Sequence, residues 1–189
     1  MLLAISKAKF QLEPGSVIIQ HLTSIHGIVC REVKLPLVCP PVHRCFPAAE
    51  AAAEESFKAR IAAFPECFFV AEADGKIIGF INGCATDSKT IYDEMYENSA
   101  CHRPDGAYQS IFGLDVIPDY RCQGIAAALM DHMIEDAKNK GRKGLILTCK
   151  DRLIHYYAKF GYKNMGISKS VHGGAVWYDM ILEFGDQKS

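Results

Sequence analysis

The apolar positions of this chain change period several times, and each change marks an element. Ser16-Val17-Ile18-Ile19-Gln20 is a short apolar run that predicts a first strand. Residues 21–47 keep no period, and Pro36, Pro40, Pro41 and Pro47 exclude a regular helix there. From Ala48 the pattern clears. Ala53, Phe57, Ile61 and Phe64 recur at helical spacing as far as Pro65. Two apolar runs follow, Cys67-Phe68-Phe69-Val70-Ala71-Glu72 and Lys76-Ile77-Ile78-Gly79-Phe80-Ile81. They flank Asp74-Gly75, a dipeptide that tolerates the positive φ of a tight hairpin turn. Residues 85–106 are polar and predict a long loop or a short helix near Tyr92–Tyr96, the kind of segment that often carries function.

Ala107 to Ile117 predicts a central strand. Gly124 to Lys140 predicts an amphipathic helix with Ile125, Leu129, Met133 and Ala137 on one stripe and Gly141 as its cap. Gly144-Leu145-Ile146-Leu147-Thr148-Cys149 is almost continuously apolar, as a strand covered on both faces would be. Asp151 is placed to N-cap a helix running to Lys159. Tyr162–Ile167 and Val176–Phe184 predict two final strands. The succession strand–helix–strand–helix implies a parallel pair with a helical crossover. Open sheets of that kind bind ligands at the carboxyl ends of their strands.

Composition narrows the class. The chain has 189 residues, 49% of them hydrophobic, enough for one sizeable core, and a single domain over residues 1–189 is expected. A formal net charge of −1 gives no reason to expect nucleic acid or an anionic membrane as a partner. No apolar run reaches the roughly 18 residues of a spanning helix. Met1-Leu2-Leu3-Ala4-Ile5-Ser6-Lys7 lacks the basic and apolar regions of a secretion signal, so a cytoplasmic location is expected. The 8 cysteines include no C-x-x-C pair and several sit in apolar runs, which favours free thiols over disulfides or zinc. The 7 histidines show no H-x-x-x-H spacing, so no metal site is predicted.

The candidate chemistry lies in Leu114-Asp115-Val116-Ile117-Pro118-Asp119-Tyr120-Arg121-Cys122-Gln123-Gly124-Ile125-Ala126. An apolar strand stops, the chain turns sharply, and a helix opens among small residues. The first N–H groups of that helix have no intrahelical acceptor and sit at the positive end of its dipole. Such a terminus suits a phosphate. Gly124 and Ala126 allow close backbone approach, and Arg121 adds a positive, forked donor.

Arg121-x-x-Gly124-x-Ala126 resembles the acetyl-CoA pyrophosphate loop of the GCN5-related N-acetyltransferases (GNAT). It matches neither a dinucleotide fingerprint nor a P-loop. The order of elements over about residues 46–184 is similar to that superfamily, with residues 1–45 an atypical N-terminal segment. Within the superfamily the chain looks most like the arylalkylamine N-acetyltransferases, the group that includes serotonin N-acetyltransferase. The matching text is His102-Arg103-Pro104-Asp105-Gly106, Arg121-Cys122-Gln123-Gly124, Cys149-Lys150-Asp151-Arg152-Leu153-Ile154-His155-Tyr156-Tyr157 and Phe160-Gly161-Tyr162.

The resemblance implies an α/β (α+β) fold: a central mixed β-sheet with helices on both faces, and a splayed parallel strand pair that holds acetyl-CoA. It implies that the thioester and pantetheine meet backbone groups of Leu114, Asp115 and Val116. The pyrophosphate would sit on Arg121, Cys122, Gln123, Gly124, Ile125, Ala126 and Ala127. Tyr157 falls at the family's general-acid position, where a phenol hydrogen-bonds the departing thiolate of CoA. Tyr156 is its packing neighbour.

The expected activity is acetyl transfer to the primary amine of a small molecule by direct attack in a ternary complex. The alternatives are acetylation of a protein or peptide amine, and a non-catalytic acyl-CoA-binding module. No metal is implied, and the protein would be a monomer or homodimer. A closed aromatic pocket lined by Phe46, Phe112 and the 85–106 loop would favour a small arylalkylamine.

Two departures stand out. The two histidines that relay the amine proton in the arylalkylamine enzymes are replaced by Ser110 and Phe112. Phe112 cannot move a proton. Ser110 can hold a water in a wire, which makes it a catalytic candidate beside Tyr157 but a poor base. Asp115, His102 and His172 are the remaining titratable candidates. The second departure is residues 21–47, where Leu35-Pro36-Leu37-Val38-Cys39-Pro40-Pro41 cannot form the family's helix. Cys45-Phe46-Pro47 falls, by resemblance, in the acceptor region.

Overall fold

The computed structural model describes residues 54–185 and four short strands ahead of them: β1 (Gln11–Leu12), β2 (Ser24–Ile25), β3 (Ile28–Glu32) and β4 (Leu37–Val38). The strand expected at Ser16–Gln20 and the Cys45-Phe46-Pro47 segment lie outside the described residues. After them come α1 (Glu54–Ala63), β5 (Phe68–Ala73), β6 (Lys76–Asn82), β7 (Ala85–Thr86) and α2 (Glu94–Glu97). Next are β8 (Tyr108–Ile111), β9 (Gly113–Val116), α3 (Ile125–Asn139) and β10 (Gly144–Cys149). The chain ends its described course with α4 (Ile154–Ala158), β11 (Lys163–Ile167) and β12 (Tyr178–Glu183). The α/β architecture expected from the pattern is present, with mixed sheets and four helices among the described residues.

The chain clusters into two compact units. One comprises the residues up to Asn82 together with Gly113–Met133, and the other Gly83–Phe112 with the residues from Ile134 onward.

The first unit carries a five-stranded sheet in the order β2-β3-β5-β6-β9, antiparallel throughout. The β5–β6 hairpin turns on Asp74 at φ +50° and Gly75 at φ +71°, the doubly positive geometry that the Asp-Gly pair predicts. Phe57 of α1 packs edge-on against Phe68 and Phe80, with ring centroids at 6.0 and 5.6 Å. Gly79 stands opposite Val116 in the β6–β9 ladder. A Cβ there would stand 2.7 Å from the Asp115 carbonyl oxygen.

The second unit carries a five-stranded sheet in the order β11-β12-β10-β8-β7. Its one parallel contact pairs β8 with β10 from Tyr108↔Gly144 to Ile111↔Leu147. That pairing then stops, which leaves Thr148 and Cys149 of β10 beyond the end of β8. Ile91, Met95, Tyr108, Ile146 and Ile181 form its buried cluster, with Tyr96 and Phe112 packed on it.

Helix α3 begins in the first unit and ends in the second. Ile125, Leu129, Met133 and Ala137, the stripe expected from sequence, are all buried. Gly141 at φ +68° ends the helix, with Arg142 N–H reaching back to the Ala137 carbonyl at 3.0 Å.

Several boundaries differ from the sequence reading. The central strand is broken at Phe112 into β8 and β9, which belong to different sheets. Apolar continuity alone cannot reveal such a change of partner. Asp151 does not cap a long helix. It lies inside a 3-10 turn, Asp151–Leu153, and its Oδ1 accepts the Arg152 N–H at 2.7 Å. The last strands begin later than expected, at Lys163 and Tyr178. No helix of the described residues is long and apolar enough to cross a membrane.

Candidate active site

The Arg121–Ala127 loop follows β9 through a 3-10 turn, Pro118–Tyr120, with Pro118 at its start. Two backbone reversals then aim the chain. Cys122 sits at φ +59° and Gly124 at φ +82°. A β-carbon is strained at such a φ, and a non-glycine residue held there marks a functional loop often enough to be informative. The helix begins at Ile125, and the Gly124 carbonyl accepts the Ala128 N–H at 2.9 Å. The backbone N–H groups of Cys122, Gln123, Gly124, Ile125, Ala126 and Ala127 have no acceptor among the described residues. Six consecutive unanswered donors around two positive-φ residues form a nest for an anion. Cys122, Gln123 and Gly124 are exposed, so the nest opens outward.

The Gln123 side chain is occupied, its Nε2 donating to the Asp119 carbonyl at 3.1 Å. Arg121 is less free than expected. Its Nε donates to the Val116 carbonyl at 3.0 Å, and its buried Nη2 has no partner. The guanidinium therefore clamps the end of β9 as well as charging the loop.

The three strand residues assigned to the thioester divide into separate roles. Ile117 N–H bonds the Ile78 carbonyl at 2.9 Å, and the β6–β9 register continues from Gly79↔Val116. Antiparallel pairs alternate between bonded and unbonded, so Asp115 spends its backbone groups on Phe80 while Leu114 and Val116 face the open edge of β9. Both backbone groups of Val116 are taken. Its N–H goes to Asp115 Oδ1 at 2.7 Å, and its carbonyl takes Arg121 Nε. Leu114 alone presents an open backbone pair.

Asp115 is fully buried. Burial is the first cause that raises its carboxyl from an ordinary 3.8 to about 7, partly opposed by the Val116 N–H and by Arg121. Its Oδ2 has no partner. The sequence carried a signal for this: one acid embedded in the apolar run Leu114-Asp115-Val116-Ile117.

In the second unit, Ser110 is fully buried. Its Oγ donates to the Cys84 carbonyl at 2.8 Å and accepts the Cys84 N–H at 2.9 Å. The hydroxyl expected to hold a water instead clasps β8 to the segment before β7. Gly83 permits that approach, because a Cβ there would lie 1.8 Å from the Ser110 carbonyl oxygen. His102 Nδ1 accepts the Ala85 N–H at 3.2 Å, which leaves the ring proton on Nε2 and gives this histidine a loop-fixing role.

Tyr157 lies on α4, half-buried, with its ring against Tyr156 at 5.3 Å and Tyr162 at 6.0 Å. Its phenol makes no hydrogen bond among the described residues, and burial pushes its pKa well above the usual tyrosine value. Such a phenol stays protonated throughout the working range and keeps an O–H to donate.

Phe112 and His172 meet on Tyr96 of α2. The Tyr96 ring lies 5.1 Å from Phe112 and 4.9 Å from His172, and His172 lies 6.4 Å from Trp177. The turn that carries His172 is tied to the start of α2: Asp93 accepts the Ser170 hydroxyl at Oδ1 and the Val171 N–H at Oδ2. Tyr96 and Trp177 were not among the residues expected from sequence. Of the cysteines described, Cys67, Cys84, Cys101, Cys122 and Cys149 are free thiols, as expected, and Cys122 is exposed.

Comparison with known proteins bears on this arrangement. Human N-acetyltransferase 8 is 28% identical over 105 residues, 54% of this chain and 40% of that protein. Serotonin N-acetyltransferase of Mesocricetus auratus is 27% identical over 94 residues, 49% of this chain and 44% of that protein. The matched segments thus span less than half of either relative. A GNAT family acetyltransferase from Elizabethkingia anophelis, solved with acetyl-CoA bound, shares the fold with a TM-score of 0.58 at 18% identity. That match covers 85% of this chain and 100% of the other. The acetyltransferase (GNAT) family model matches residues 37–162, a span that contains the anion nest, Ser110 and Tyr157, and the chain belongs to that family.

Proposed function

We propose that this protein transfers the acetyl group of acetyl-CoA to the primary amine of a small molecule, by direct attack in a ternary complex. The observation that carries the reading is the run of unanswered N–H groups from Cys122 to Ala127, set at the N-terminus of a 15-residue helix. The CoA pyrophosphate fits that nest in charge and in donor number. The open N–H of Leu114 then suits the thioester carbonyl, where an oriented donor stabilises the developing oxyanion by roughly 3 kcal/mol.

The neutral amine nitrogen attacks the thioester carbon, a tetrahedral oxyanion forms, the nitrogen releases its surplus proton to solvent, and the C–S bond breaks to leave an amide and the CoA thiolate. The Tyr157 phenol donates a hydrogen bond to that thiolate as it departs. This role rests on the family resemblance and on a phenol that is protonated and uncommitted. Tyr157→Phe is expected to lower kcat by about 10- to 1000-fold while acetyl-CoA still binds. Wild-type turnover in that variant would remove Tyr157 from the chemistry.

The amine reaches the site mostly as ammonium, with a pKa near 10 by analogy with lysine. Ser110 and His102 are spent on backbone groups, so the proton leaves to solvent. The ratio kcat/KM is therefore expected to rise through pH 7–9 as free amine accumulates. A plateau with an apparent pKa near 6.5–7 would instead mean that a side chain acts as base, with His172 and Asp115 the first to replace.

Similarity to serotonin N-acetyltransferase supports a small amine over a peptide as acceptor. A thiol-release assay with acetyl-CoA against monoamines, polyamines and peptides tests the reading. Turnover confined to peptides would move the acceptor class, and acetyl-CoA binding without any turnover would leave a binding module.

A further inference from the structure

A second acid is embedded in an apolar strand. Asp179 stands in Val176-Trp177-Tyr178-Asp179-Met180-Ile181 on β12, between the clustered aromatics and the core. It pairs across the ladder with Thr148, at the end of β10 that β8 does not reach. Residues directly opposite in a ladder share a face. The Thr148 hydroxyl meets the Tyr96 hydroxyl at 2.9 Å, and the Tyr96 ring packs on Phe112 and His172, with Trp177 next to His172.

Among the described residues Asp179 has no cation partner. Ser168 hydrogen-bonds the carboxylate, but its Oδ1 is buried without a partner. Burial raises the carboxyl above its ordinary value, and the Ser168 bond opposes the rise only in part. Lys150 lies over the Trp177 ring at 5.4 Å. Among the described residues this half-buried carboxylate, with one unanswered oxygen and Thr148 opposite it in the ladder, has no positively charged donor.

We propose that Asp179 is the specificity-determining anchor for the ammonium group of the acceptor, with the acceptor's flat apolar body lying among Tyr96, His172 and Trp177. This rests on the amine-acetyltransferase reading above and adds the residue that selects for charge. An ammonium carries three donors and matches the free acceptor at Oδ1 and the hydroxyl oxygens of Thr148 and Tyr96. Rings supply cation–π attraction and apolar contact.

The test uses the full chain with 2-phenylethylamine and its neutral counterpart 2-phenylethanol as probes. Trp177 is the only tryptophan, so its emission reports occupancy of this site directly. Wild-type protein is expected to bind the amine about 10- to 100-fold more tightly than the alcohol, with a change in emission. Asp179→Asn should remove the preference and leave acetyl-CoA affinity unchanged, while Asp179→Glu should restore part of it. Equal binding of the two probes by the wild type would overturn the proposal whatever the variants do. A preference that survives in a folded Asp179→Asn protein would overturn it too, as would amine binding that leaves Trp177 emission unaltered. Acetyl-CoA binding, measured separately, tests the acetyltransferase reading without reference to Asp179.

Discussion

Gly124→Glu is expected to reduce acetyl-CoA affinity by at least about 100-fold while the fold survives. Gly124 sits at φ +82°, and a Cβ there would meet nothing within 4 Å. A side chain is therefore not excluded by crowding. Its cost is backbone strain of about 1 kcal/mol, confined to an exposed loop. The functional cost is larger. The glutamate places a negative charge before the six N–H groups of the nest, where the dipole and donors favour an anion. It competes with the pyrophosphate intramolecularly and repels it.

Gly124→Ala separates the two effects. It carries the strain without the charge, and about a 10-fold loss or less is expected. Titration calorimetry with CoA reads both variants. Equal affinities for wild type and Gly124→Glu would place the pyrophosphate elsewhere.

Asp115→Asn is expected to be more stable than the wild type at pH 8 and to lose that advantage in acid. The native carboxyl titrates near 7 against an ordinary 3.8. The native state thus holds a proton that the unfolded chain releases between those values. The wild type keeps the full stability of the neutral acid below about pH 4 and loses it as pH rises through 7. A shift of about three units corresponds to about 4 kcal/mol at most. Asparagine cannot ionise and retains an oxygen for the Val116 N–H, so it escapes this penalty.

Urea unfolding of both proteins at pH 4.5 and pH 8 measures the effect. The stability difference should grow by up to about 3 kcal/mol between those conditions. A difference that is the same at both would show that Asp115 is ionised in the folded protein throughout.

The local devices of this chain are written in short stretches of sequence, because they depend on neighbours a few residues apart. Asp74-Gly75 specifies its hairpin since both residues tolerate positive φ. The Ile125–Ala137 stripe specifies α3 since four side chains at helical spacing share one face. The nest is legible for the same reason: strand end, glycine and helix start are consecutive, and orphan N–H groups follow from helix geometry alone.

What only the tertiary structure decided is partnership across distance. Apolar continuity from Ala107 to Ile117 reads as one strand. The break at Phe112 arises because Tyr108–Ile111 pairs with β10 and β7 while Gly113–Val116 pairs with β6. Ser110 is a hydroxyl available for water until Cys84, 26 residues earlier, takes both its donor and an acceptor. Leu114, Asp115 and Val116 are equivalent as a motif. The β6 ladder, an aspartate side chain and Arg121 leave one of them open. Tyr96, Thr148 and Asp179 are remote in sequence, and a ladder register and one hydroxyl contact bring them together. A hydrogen bond or a charge has its value set by what else is buried beside it, and the chain's order does not carry that information.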